Sequence, residues 1–353
     1  MIKTIVLITG LLCSLLNAQA DGDAYIWHDA ATLHLEGKGW AATPSVYDRL
    51  PASAENRVTA DVWRLSHHTA GLSVTFSTDA DSVRVRWTLL SENLGLKNMP
   101  PTGVSGIDLS VREGDVWVFN GNGRPGGLSN EKTFFLAGAG LRTYKIYFPL
   151  YNGLTEMSIG IPRGSSFMQP PAVPSSKALV FYGTSITQGG CASRPGNAAT
   201  SIVGRALGRP VINLGFSGAG KMEPVMAELL AGLNPSVYIL DCLWNMTGEM
   251  VASRVEPFVR SLRTQKPDIP IVLVEDSNYL NDSPTARGEV LRGIYNKLIA
   301  EGTGNLYFLS NANMLGRDGE GTVDSVHPND LGMWRQARVF TAFLKSVLEE
   351  RKP

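Results

Sequence analysis

The stretch Leu179-Val180-Phe181-Tyr182-Gly183-Thr184-Ser185-Ile186-Thr187-Gln188-Gly189 decides the fold. A short apolar run passes straight into a glycine-flanked turn, and the turn carries a serine. Continuous apolar runs of this length fit strands covered on both faces, as in parallel sheets. The same grammar recurs downstream, with apolar strand candidates at residues 211–214, 237–240, 271–274 and 306–309. Amphipathic stretches lie between them at 198–207, 223–233, 250–263 and 287–300, and a last one runs from 331 to 349. Five β-α units in succession predict an α/β domain, a parallel sheet with helices on both faces.

Upstream the period changes to two. Val83, Val85 and Trp87 alternate with Arg84 and Arg86; Tyr144, Ile146 and Phe148 alternate with Thr143, Lys145 and Tyr147. Met157, Ile159 and Ile161 follow the same rule, and Val116 and Val118 bracket Trp117. Turn-rich segments such as Asn120-Gly121-Asn122-Gly123-Arg124-Pro125-Gly126-Gly127 separate the runs. Short alternating strands punctuated this way predict an antiparallel β-sandwich. Segment 162–176, rich in proline and serine, reads as an ordered but irregular linker. The expected order is a targeting segment 1–20, a β-sandwich domain 21–161, the linker 162–176 and an α/β domain 177–353.

The targeting segment has a basic start at Lys3, an apolar core over residues 5–16, and Ala18-Gln19-Ala20 before Asp21. Its apolar run is shorter than a membrane span. The expectation is an exported protein, periplasmic or extracellular, with no membrane insertion once the signal is removed. Lys+Arg and Asp+Glu both number 32, so no charge footprint points to nucleic acid. A small or neutral substrate is the expected partner. With Cys13 inside the signal, Cys191 and Cys242 remain. Both fall near strand ends at the same rim of the sheet, which makes them a candidate disulfide in an oxidising compartment. His67-His68 would face opposite ways on a strand, and no Cys/His cluster has ligand spacing. Neither a metal nor another cofactor is expected.

In an open parallel sheet, ligands sit at the carboxyl ends of the strands. Ser185 follows the first strand, Gly215 ends the second and Asn245 follows the third. Asp324 and His327 fall between the fifth strand and the last helix. A Gly-Thr-Ser turn alone is ordinarily a helix cap, and Asn213-Leu214-Gly215 alone an ordinary strand end. Their joint occurrence in this order is what points to chemistry. A serine hydroxyl becomes nucleophilic when an imidazole takes its proton, and the imidazole needs a carboxylate to fix its tautomer. Asp324 and His327 supply both from one loop. The N–H groups of Ser185 and Gly215 and the amide of Asn245 are candidate oxyanion donors. Glu275 ends the fourth strand beside Asp276 on the same rim and is a candidate substrate contact, as is Arg194 for an anionic group.

These segments resemble the SGNH (GDSL-type) hydrolase family over roughly residues 177–345. Ser185, Gly215, Asn245 and the pair Asp324 and His327 fall at its motif positions. Tyr182–Gly196 resembles an exported subgroup whose members carry an N-terminal β-domain with a Gly-x-Asp-Leu-Tyr signature. Gly106-Ile107-Asp108-Leu109-Ser110 matches that signature except at Ser110. Two departures stand out: Thr184 occupies the place of the usual Asp, and Asn245 lacks its usual neighbours. The resemblance implies a flavodoxin-like three-layer hydrolase domain behind an all-β, sandwich or jelly-roll-like domain. It also implies a serine esterase that takes short acyl groups, acetyl in particular, from carbohydrate through an acyl-enzyme. The alternatives are a lipase or thioesterase on short acyl chains, and a glycan-binding protein with a vestigial site. Trp27, Trp40, Trp63, Trp87 and Trp117 are available to a glycan cleft, although most suit a core.

Overall fold

The computed structural model describes residues 24–350 apart from 137, 139, 173–177 and 279–281. The predicted signal segment and the end of the predicted linker lie outside the described residues. The second half of the chain forms a five-stranded parallel sheet. Its strands are β1 (Leu179–Gly183), β2 (Val211–Gly215), β3 (Val237–Asp241), β4 (Ile271–Val274) and β5 (Leu306–Leu309), in the spatial order β2-β1-β3-β4-β5. The chain leaves β1 to one side for β2 and then crosses to the other side for β3. That reversal opens a crevice at the carboxyl end of β1.

Alternation along the strands divides the sheet's two faces between two cores. Leu179, Phe181, Val237, Ile239, Val272 and Val274 pack with α2 (Ala199–Leu207) and α6 (Asp330–Glu349). Val180, Tyr182, Tyr238, Leu240, Ile271 and Leu273 pack with α3 (Pro224–Ala231), α4 (Gly248–Gln265) and α5 (Ala286–Ala300). The remaining helix, α1 (Ser185–Gln188), is a single turn after β1. Thr247, Thr285 and Asn329 cap the N-termini of α4, α5 and α6 through their side-chain oxygens. These caps start the helices a residue or two before the amphipathic pattern. Among the described residues, no helix is long and apolar enough to cross a membrane.

The first half is a β-sandwich. One sheet runs Tyr25–Asp29, Leu154–Pro162, Ser82–Leu89, Ser129–Phe135 in space. The other runs Phe167–Met168, Ser73–Thr78, Arg142–Tyr147, Ile107–Glu113, Val116–Gly123, with Leu35–Glu36 added beside Ser73–Thr78. Val83, Val85, Trp87, Ile159 and Ile161 from the first meet Val74, Phe76, Ile107, Leu109 and Ile146 from the second in one core. Two details differ from the sequence pattern. Asn120 to Gly123, expected as turn, continues a strand: a Cβ on Gly123 would lie 2.7 Å from Ile107 and 2.9 Å from Trp87, so packing rather than turning selects the glycine. Part of the expected linker is also a strand, Phe167–Met168, with Phe167 stacked on His28 at 3.7 Å.

The sandwich half reaches deep into the other. Leu50, Ala54, Val58, Val62 and Leu65 lie in the core that covers one face of the parallel sheet. Ala70, Met99, Val104 and Leu150 lie in the core on the opposite face. Trp40 and Trp63 pack against the first of these cores, and Trp87 is buried in the sandwich. The expected disulfide is not formed: Cys191 and Cys242 are both free and buried. Proximity to one rim was the wrong criterion, because Cys191 belongs to the core on one face and Cys242 to the core on the other.

Candidate active site

Ser185 opens α1 at the crevice. Thr184 caps this single turn: its hydroxyl accepts from Ile186 N–H at 3.2 Å, while its own N–H donates to Thr187 Oγ1 at 3.2 Å. The Ser185 carbonyl accepts from the N–H groups of Gly189 and Gly190 and, at 2.9 Å, from the hydroxyl of Tyr151 in the sandwich half. The main chain around the serine is therefore held on several sides. Thr187 Oγ1 donates in turn to Asp241 Oδ2 at 2.8 Å. Burial pushes the Asp241 carboxyl up to about 7; the Thr187 hydroxyl opposes this and nearby Asp276 adds to it.

The Asp324–His327 loop comes to the same place. Ser185 Oγ lies 2.9 Å from His327 Nε2, and His327 Nδ1 lies 2.8 Å from Asp324 Oδ2. Asp324 Oδ1 accepts the backbone N–H of His327 at 2.8 Å and of Val326 at 3.2 Å. Ser325 takes a left-handed conformation (φ 69°), and Val323 N–H bonds His327 C=O at 3.0 Å, so the four residues close into a tight turn. Burial alone would raise the Asp324 carboxyl, but donors from His327 and Asn98 outweigh it and hold it at about 2. An ionised carboxylate on one imidazole nitrogen and a serine hydroxyl on the other is an arrangement that activates the hydroxyl for attack. Ser185 itself is 8% exposed, beneath a more open loop.

The expected oxyanion donors divide. Ser185 N–H lies in the first turn of α1 and has no intrahelical acceptor. The N–H of Gly215, in contrast, donates to Asn213 Oδ1 at 2.9 Å, which corrects its assignment as a free donor. Its glycine identity answers to packing, since a Cβ there would fall 2.2 Å from Gln188 N. The loop beyond it offers another donor. Ser217 N–H bonds Gln188 Oε1, and Ala219 and Gly220 N–H bond Phe216 C=O, whereas Gly218 N–H has no partner among the described residues. Gly218 takes φ 70° with open space on its Cβ side. Asn245 braces this loop, its amide nitrogen 3.2 Å from the carbonyls of both Phe216 and Gly220.

The two candidate substrate contacts are committed elsewhere. Arg194 Nη1 donates to Asp108 Oδ2 at 2.7 Å, and its guanidinium lies 4.0 Å from the ring centre of Phe119. Asp108 also accepts Gly196 N–H at 2.7 Å and the Asn122 amide at 2.8 Å, so the acid of the Gly-x-Asp-Leu signature bolts the sandwich to the loop after the serine. Glu275, 1% exposed, accepts Asn311 N–H at 3.1 Å and pairs with Arg292 at 3.4 Å. Asp276 accepts from Thr285 and Arg287 at 2.8 Å each. His67 pairs with Asp48 at 3.0 Å, while His68 Nδ1 accepts the Gln188 amide at 3.2 Å. Burial, reinforced by Arg49, lowers His68 to about 3 and keeps it a neutral acceptor.

Three contributors had no signal in the sequence: Arg49, Asn98 and Tyr151. All lie in the sandwich half, and only the tertiary fold brings them here. Arg49 donates to the carbonyls of Asn213 and Gly215 at 3.0 and 2.8 Å, at the point where β2 ends and the Gly218 loop begins. Beside the Asp324–His327 loop an open groove of about 500 Å³ is lined by Arg317, Asp318, Gly319, Thr322, Val323, Asp324 and Ser325.

Residues 176–345 match the GDSL-like lipase/acylhydrolase family, and residues 25–167 match the N-terminus of SGNH-hydrolase-type esterases. A crystal structure described as a GDSL-like lipase from Bacteroides ovatus is 31% identical, with a TM-score of 0.86 over 92% of this chain and 98% of that one. The salicylyl-acyltransferase SsfX3 of a tetracycline biosynthetic pathway is 18% identical, with a TM-score of 0.73 over 92% of this chain and 97% of that one. A family two carbohydrate esterase from Cellvibrio japonicus is 14% identical, with a TM-score of 0.61 over 93% and 99%. These last two likenesses are of fold. No curated protein matches the chain.

Proposed function

The chain belongs to the GDSL-like lipase/acylhydrolase family, and from that premise we propose an exported serine esterase that removes short acyl groups, chiefly acetyl, from carbohydrate. The observation that carries the reading is the unbroken contact from Ser185 Oγ through His327 to Asp324, at 2.9 and 2.8 Å. In this reading His327 takes the Ser185 proton as the hydroxyl oxygen attacks the ester carbonyl. The developing oxyanion is received by the N–H groups of Ser185 and Gly218, and Asn245 releases one of its 3.2 Å carbonyl contacts to join them. His327 then protonates the leaving alcohol, activates water and returns the proton to Ser185 as the acid departs.

Two features support a polar substrate with a small acyl group. The groove at the Asp324 loop is lined chiefly by polar side chains, and it is open rather than enclosed. A long acyl chain is better matched by a deep apolar pocket. The shared fold of a carbohydrate esterase agrees with this choice. Export rests on the composition of residues 1–20.

The test is release of acetate from acetylated xylan, pectin and sialic acid, alongside 4-nitrophenyl esters of increasing chain length. Acetate release and a preference for the shortest ester are expected. Ser185→Ala should lower turnover by at least about a hundredfold. A preference for octanoyl over acetyl esters would replace this reading with the lipase one.

A further inference from the structure

Asp324 accepts four hydrogen bonds, and one comes from the other half of the molecule. Val326 N–H and His327 N–H bond Oδ1, and the His327 ring bonds Oδ2. The fourth donor is the Asn98 side-chain amide, 2.9 Å from Oδ2. We propose that Asn98, carried by the sandwich half, is a positioning residue for the Asp324–His327 pair, so that the relay is completed only when the two halves are docked. This rests on the esterase reading given above.

The local structure suits that task. Leu96 and Met99 exchange backbone hydrogen bonds, Leu96 N–H to Met99 C=O at 2.9 Å and the reverse at 3.2 Å. Lys97 and Asn98 thus form the tip of a tight turn. The foot of the turn is planted in the α/β half: Met99 is buried in the core that holds Cys191, Ala192 and Met333. Just beyond, Thr102 Oγ1 donates to Ser193 C=O at 2.6 Å, and a Cβ on Gly103 would lie 2.2 Å from Ala192 O. The turn therefore sits on the chain segment that follows the serine and aims one amide at the carboxylate.

Asp324 needs such a partner because its side chain is 35% exposed, on a loop rather than in a core. Without Asn98, Oδ2 would meet water on the side away from His327, and the carboxylate could turn off the imidazole. Other charges near the pair are fixed. The Cys191 thiol is pushed up to about 12 by burial and stays neutral. Across the groove Arg317 pairs with Asp282, and Asp318 with Arg335, each at 2.6 Å. Lys97 shares the tip of the turn.

The test is a double-mutant cycle in the full chain with 4-nitrophenyl acetate, with thermal unfolding recorded in parallel. Asn98→Ala should lower kcat about tenfold with KM little changed. Asn98→Asp, which keeps the size and loses the donor, should show at least the same loss. In an Asp324→Ala background, Asn98→Ala should cost less than about twofold more, because the partner it positions is gone. Wild-type kcat for Asn98→Ala, or an equal loss with and without Asp324, overturns the proposal. Ser185→Ala separates the two levels: if it stays active, the esterase reading fails whatever Asn98 does.

Discussion

Arg49 offers the sharpest test of how the two halves make one site. It is 2% exposed and uses its guanidinium on four main-chain carbonyls: Leu65 at 2.6 Å, His68 at 2.7 Å, Gly215 at 2.8 Å and Asn213 at 3.0 Å. Phe216 lies beneath it, 4.8 Å from ring centre to guanidinium carbon. Burial pushes its pKa down to about 9, so it is still a cation at neutral pH. Arg49→Met keeps much of the volume and removes every donor. At about 1 kcal/mol for each carbonyl left unpaired, the gross loss is about 4 kcal/mol. Relief of the buried charge and entry of water reduce this, so about 2–4 kcal/mol is expected. At roughly 1.5 °C per kcal/mol for a chain of this length, the melting temperature should fall by about 3–6 °C.

Turnover should fall as well, because Gly215 carries the chain into the loop of Gly218. In the esterase reading, loss of an oxyanion donor costs about a hundredfold to a thousandfold in kcat. Arg49→Lys should lie between, since an ammonium holds the charge but cannot spread it over four carbonyls in a planar fork. The assays are thermal unfolding by circular dichroism and kcat on 4-nitrophenyl acetate. An Arg49→Met protein that melts within about 2 °C of wild type and keeps its kcat would refute the reasoning.

Three further outcomes are expected. Asp108→Ala strands Arg194, the Gly196 N–H and the Asn122 amide, and should cost about 3–5 kcal/mol in thermal or denaturant unfolding; a loss below 1 kcal/mol would remove its role as the bolt. Asp241 is raised from 3.8 to about 7 on folding, so the stability linked to its proton is complete below pH 3.8 and is lost as pH rises to about 7, by at most about 1.4 kcal/mol per unit. Asp241→Asn should flatten that part of the stability–pH curve, and an unchanged slope would reassign it. Cys191 and Cys242 should both titrate as free thiols after denaturation without reductant, with dithiothreitol leaving the melting temperature unchanged.

What could be read in the sequence follows from where each signal is encoded. Strands between two helical layers take apolar side chains at every position, even at the half-buried edge, so residues 271–274 and 306–309 were legible to the residue. Asp324 and His327 were legible because both lie on one short loop and their chemistry demands those types. The glycines were harder. Gly121 and Gly123 look like turn formers, yet they serve a strand in which Gly123 passes close to Trp87. Gly215 stands out in the sequence because a strand end is visible in a pattern of apolar residues. The commitment of one N–H to Asn213 Oδ1, and the freedom of another at φ 70°, are not. Cys191 and Cys242 failed for a related reason: an apolar run marks a strand but does not report which face a neighbouring thiol joins.

Arg49, Asn98, Asp108 and Tyr151 share one property that explains why their tasks were not legible, even for Asp108, which lies in a motif. Each acts on main chain or on a carboxylate of the other half, across sequence separations of 34 to 226 residues. In isolation each is an ordinary polar side chain in a loop or strand. Their targets are the Ser185 carbonyl, the Gly196 N–H, the Gly215 carbonyl and the Asp324 carboxylate, which are the supports of the nucleophile, the oxyanion loop and the acid. A sandwich that served only as a tethered binding module would have no need to meet all of these supports. Contacts of this kind hold catalytic groups to the sub-ångström placement that turnover requires. In the esterase reading the sandwich therefore supports the active site from outside, and separating it from the α/β half should abolish turnover of 4-nitrophenyl acetate.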